Sequence, residues 1–139
     1  MKKIIFSLLF ISATGITTYA QCNQRVTFNT SQTDYQDGKG TVAEKTSVVF
    51  DNQDVTILTN GNLDDQLVGT VLSSSCDWKK SYREGKTVVK ANLSSKKLGS
   101  KNATLTMEGK DGNVSLLVEV ADMPARKFQL SSDAFREQQ

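Results

Sequence analysis

The chain has 139 residues, with 17 basic and 15 acidic side chains, one proline, two cysteines and no histidine. Lack of histidine removes the commonest general base and the usual zinc ligand, and with them every Ser-His-acid or Cys-His arrangement. A near-neutral charge gives no general attraction to nucleic acid or to an anionic membrane, and no segment offers the roughly 20 apolar residues of a spanning helix.

Lys2 and Lys3 precede an apolar run from Ile4 to Ile11, and Thr18-Tyr19-Ala20 has the small-residue spacing of a signal-peptidase site. Residues 1–20 are therefore expected to be a signal peptide cut between Ala20 and Gln21, leaving residues 21–139 as one exported β domain. Loss of Lys2 and Lys3 makes basic and acidic residues equal in number. A lipid anchor on Cys22 is disfavoured, because Gln21 and Tyr19 stand where a lipobox places a small residue and Leu. An oxidising compartment instead predicts a disulfide between Cys22 and Cys76, the only two cysteines. The Lys-Lys start and the Ala-Gln junction resemble bacterial export signals. That resemblance implies a soluble periplasmic or extracellular protein.

Beyond Gln21, short alternating apolar runs bounded by Gly, Asn, Asp and Ser recur without a sustained helical period. Strands are predicted over Arg25 to Thr30, Thr41 to Phe50, Val55 to Thr59, Gln66 to Ser74, Trp78 to Arg83, Lys86 to Leu93, Ala103 to Glu108, Val114 to Val120 and Arg126 to Leu130. A polar loop separates the first two, with its turn at Asp37-Gly38-Lys39-Gly40. Further turns are expected at Asp51-Asn52-Gln53-Asp54, Arg83-Glu84-Gly85-Lys86 and Lys110-Asp111-Gly112-Asn113. Around the last, Ala103, Leu105 and Met107 share a face, as do Val114, Leu116, Val118 and Val120. The same parity groups Val68, Leu72, Cys76, Trp78 and Tyr82, and sets Cys22 with Val26 and Phe28. Pro124 falls between two strands, and the tail from Ser131 is expected to form a helical turn or to fray. Eight or nine short strands joined locally predict an all-β antiparallel meander, a small lipocalin-like barrel or a partly open barrel. A two-sheet sandwich is the alternative.

No catalytic, cofactor or metal motif emerges. Asn60-Gly61-Asn62-Leu63-Asp64-Asp65 begins like a calcium loop, but Asp65 and Val71 occupy the places of its glycine and its bidentate acid. The glycosylation-type triplets at Asn29, Asn92, Asn102 and Asn113 are read as turn asparagines. Five acids and no base lie between Thr46 and Asp77, whereas eight bases against Glu84 alone lie between Lys79 and Lys101. A basic face around Trp78, Lys79, Lys80, Tyr82 and Arg83 is therefore a candidate surface for an envelope glycan or a protein partner. The opposing expectation is that these bases pair with the acids across neighbouring strands. Three functions stay open. They are non-catalytic binding in the envelope, carriage of a small apolar molecule in a cavity lined by Phe28, Leu72, Leu105 and Leu116, and hydrolysis by paired carboxylates.

Overall fold

The computed structural model describes residues 24–80, 82–123, 125–131 and 135–138. The signal peptide, the Ala20–Gln21 junction, Cys22 and Pro124 lie outside the described residues. Nine antiparallel strands form one sheet: β1 (Arg25–Tyr35), β2 (Gly40–Phe50), β3 (Asp54–Thr59), β4 (Leu67–Lys80), β5 (Glu84–Ser95), β6 (Gly99–Lys110), β7 (Asn113–Val120), β8 (Arg126–Ser131) and β9 (Phe135–Gln138). Consecutive strands pair from β1 through β8. The other edge of β1 pairs with β8 at Asp34 and Tyr35 and with β9 from Arg25 to Phe28, so the ladder returns to its start. The meander thus curls into a barrel.

Local chemistry explains the turns. Asp111 and Gly112 have φ of 53° and 80°, the left-handed pair that lets β6 and β7 join through two residues. Asp51 Oδ1 accepts from the amides of Gln53 and Asp54 at 2.7 and 2.8 Å, which closes the β2–β3 turn. Asp37 Oδ1 accepts from Lys39 N at 3.1 Å between β1 and β2.

Inward residues alternate with outward ones, and Val26, Phe28, Val48, Phe50, Val89, Leu93, Leu105, Met107, Leu116 and Val118 belong to one buried cluster. In the predicted β6–β7 hairpin Leu105 faces Val118 and Met107 faces Leu116. Phe28, Leu105 and Leu116 are packed core residues, each almost wholly buried.

Five expectations need correction. The predicted strands Gln66 to Ser74 and Trp78 to Arg83 are one continuous strand, β4. Within it the register slips between Val71 and Ser73, so Leu72 is an extra residue that reverses the parity of everything before it. Leu72 and Val68 consequently lie outside, with Leu72 65% exposed, and Leu72 cannot line the interior. The Arg83 to Lys86 turn sits earlier, since β5 already begins at Glu84 and Tyr82 takes φ of 53°. The tail forms β9 in place of a helical turn, because the first half of β1 has a free edge that it can pair. Asn29, Asn92 and Asn102 stand within strands, not in turns.

Candidate functional site at the mouth of the barrel

The two ends of the barrel differ. At one end Trp78, at the far end of β4, packs against the core and lies against Gly85 of β5 and Gly109 of β6, the next two strands of the sheet. A Cβ at Gly109 would come within 2.7 Å of the indole, so glycine there makes the seat for the ring. The indole N–H donates to Thr87 Oγ1 at 2.8 Å, and the Tyr82 ring packs beside it with centroids 5.3 Å apart. Next to this plug a space of only about 10 Å³ is bordered by Gln24, Ser74, Tyr82 and Thr87. That is room for roughly one water molecule.

At the other end strand lengths do not match. β2 runs eleven residues and β3 only six, ending where Asn60 and Gly61 take positive φ. Asn60 continues the ladder by one step, its Oδ1 accepting from Lys45 N at 2.9 Å and its own amide donating to Lys45 O at 2.6 Å. From Gly40 to Glu44, β2 has no strand on that side among the described residues. The gap opens a cavity of about 340 Å³. Ile57, Leu67, Leu98 and Met123 line it with apolar surface, and Glu44, Thr59, Asn60, Asn62, Asp65, Ser95 and Lys97 bring polar groups.

Most of those polar groups are occupied. Asp65 Oδ1 accepts from Lys97 Nζ at 2.5 Å and its Oδ2 from Asn62 Nδ2 at 2.6 Å. Lys96 pairs with Asp64 at 3.0 Å, so two ion pairs tie the β5–β6 turn to the loop between β3 and β4. The hydrogen bond to Asp65 and its charge hold the Lys97 ammonium above its ordinary pKa. Asn62 Oδ1 accepts from Asp64 N at 3.1 Å, capping a short 3-10 turn over Leu63–Asp65. Ser95 Oγ accepts from Leu98 N at 3.1 Å. Glu44 differs, since its recorded partner is the neutral Tyr35 hydroxyl, which donates to Oε1 at 3.0 Å.

The structure divides the residues singled out from the sequence. Trp78 and Tyr82 form an internal plug at the closed end, with the indole donor already used. Lys79 pairs with Glu84 at 3.2 Å, Lys101 with Asp122 at 3.2 Å, and Lys86 sits in register between Asp77 and Glu108. Lys96 and Lys97 are the pairs described above. Lys80 and Arg83 are exposed and make no ion pair with a described acid. The basic segment is thus interleaved with acids across strands, which weakens a coherent basic face. Cys76 lies half-buried opposite Thr87, two residues from Ser74. Among the described residues no three His, Cys, Asp or Glu side chains gather as a metal site. No helix among them is long and apolar enough to cross a membrane.

Glu44, Ile57, Thr59, Leu67, Leu98 and Met123 were not singled out from the sequence. One signal for Glu44 was present, since it shares parity with Thr46, Val48 and Phe50, an acid in the inward register of a core strand. No protein-family model, curated protein or solved structure matches the chain.

Proposed function

We propose that this protein is an exported, non-catalytic β-barrel that binds a small amphipathic molecule at its mouth. The observation that carries this is the cavity of about 340 Å³ left where β3 stops short of β2. Its size falls at the lower end of the roughly 300–1,000 Å³ of ligand pockets, and it combines apolar walls with a few polar groups. Binding at the mouth replaces carriage deep in the barrel, because Phe28, Leu105 and Leu116 fill the interior.

Carboxylate hydrolysis has less support. Glu44 and Asp65 border the same cavity, but both oxygens of Asp65 are committed to Lys97 and Asn62. A hydrolase needs one carboxyl free to give a proton and the other free to attack or to activate water. Export is supported by the Lys2-Lys3 start and the Ala20-Gln21 junction. A Cys22–Cys76 disulfide is supported by their being the only two cysteines of an exported chain and by the half-buried placement of Cys76. Among the described residues no cysteine is free.

Octanol is a suitable first probe, followed by calorimetry on the native protein and on Ser95→Trp, whose indole would occupy the mouth. Saturable binding that Ser95→Trp abolishes is expected, while Leu72→Ser on the outer face leaves it intact. Absence of binding, or binding indifferent to Ser95→Trp, would contradict the proposal.

A further inference from the structure

The chemistry of the mouth goes further than its size. Among the described residues three charged side chains line the cavity: Glu44, Asp65 and Lys97. Asp65 and Lys97 neutralise each other at 2.5 Å. Glu44 makes no ion pair with a described residue, and its hydrogen bond is to a neutral phenol. Lys39, whose ammonium lies 5.5 Å from the centre of the Tyr35 ring, pairs with Asp37 at 3.2 Å. Among the described residues the cavity therefore keeps one negative charge without an ion-pair partner.

That charge is held in place, not trailing in solvent. Glu44 is half-buried in the inward row of β2, and the Tyr35 hydroxyl fixes one of its oxygens. The next inward residue on β2 is Thr46, only 2% exposed, and its hydroxyl oxygen has no hydrogen-bond partner among the described residues. Its registered neighbour across the ladder is Thr59, itself part of the cavity wall. Glu44 and Thr59, not Thr46, are the polar groups of this corner that border the cavity. Ile57, Leu67, Leu98 and Met123 offer the apolar surface on which the rest of such a ligand would lie.

We propose that the ligand class of this mouth is a small organic amine, its ammonium group donating to Glu44 and its hydrocarbon body lying on Ile57, Leu67, Leu98 and Met123. This rests on the mouth-binding function proposed above. An ammonium donates to a carboxylate through a charge-assisted hydrogen bond, stronger than the bond a neutral alcohol makes, whereas a carboxylate ligand meets like charge.

The test compares octylammonium, octanol and octanoate by calorimetry at neutral pH and low salt. Octylammonium is expected to bind about ten-fold more tightly than octanol, and octanoate more weakly than either. Glu44→Gln keeps the size and the acceptor oxygen but removes the charge, so in this variant octylammonium should bind no more tightly than octanol does. Thermal unfolding of the variant reports whether the fold is kept, and Glu44→Asp, with the charge on a shorter stem, should retain part of the preference. Equal affinities for the three probes, or a preference that survives in Glu44→Gln, would overturn the inference while leaving the mouth as a binding site. Binding of none of the three would instead remove the mouth-binding function itself.

Discussion

Single side chains set the electrostatic character of each end. Asp51 is a structural acid, placed at the β2–β3 turn close to the plugged end. Partial burial pushes its pKa up, but the amides of Asp54 and Gln53 and the Arg25 guanidinium at 3.2 Å together hold it below its ordinary 3.8. A carboxyl whose folded pKa is depressed stabilises the fold above its unfolded pKa, and the contribution fades as pH falls through the folded value. Asp51→Asn is therefore expected to be less stable than the native chain at neutral pH, with the gap narrowing only below about pH 4. Urea denaturation across an acid series checks this, and a gap independent of pH would contradict it. Glu44 shows how far residues were legible in the sequence. Its inward register on β2 could be read from Val48 and Phe50, but the cavity it faces depends on where β3 ends. Leu72 failed for the opposite reason. Strict alternation put it inside, and a bulge with no marker of its own in the sequence turned it out.

At the level of elements, the elements whose geometry is decided locally were the readable ones. The β6–β7 hairpin combines an Asp-Gly turn with unbroken alternation, and both its register and its buried face follow from those residues. β4 is different, because its fourteen residues must curve with the barrel, and register slips at Leu72 and again between Trp78 and Lys80 accompany that curvature. Curvature is a demand of the whole sheet, so a local pattern does not announce it. β9 likewise exists because β1 offers it an edge, while its own sequence carries little strand signal. The β4–β5–β6 plug depends on glycine to admit Trp78. In Gly109→Ala the new methyl would press on the indole and on the backbone of Tyr82 and Arg83. Overpacking of this kind is expected to cost about 1–3 kcal/mol. Trp78, the sole tryptophan, should report the displacement as a shift in its emission. Unchanged stability and emission would mean that the ring does not need this seat.

The whole molecule is a barrel with unequal ends, one sealed by aromatic rings and one left open by a short strand. Around it several bases pair with acids of neighbouring loops and turns, as the Lys96–Asp64, Lys97–Asp65 and Lys101–Asp122 pairs show. Exposed pairs of this type contribute little stability individually. They keep the outer surface mixed in sign, which argues against a dedicated basic face. The proposed Cys22–Cys76 bond would close a loop of about 55 residues, for which chain entropy predicts up to about 4 kcal/mol. Exported material should therefore begin at Gln21 without lipid, and reduction should lower its melting temperature. A lipidated Cys22, or a melting temperature indifferent to reduction, would contradict export of a stapled soluble domain. The central claim is that the open mouth binds a small amphiphile, and the most direct measurement is an amide chemical-shift map of the native protein titrated with octanol. Saturable shifts confined to Glu44, Ile57, Thr59, Leu67, Leu98 and Met123 are the predicted result. Shifts centred on Trp78 and Tyr82, or no saturable shifts at all, would contradict it.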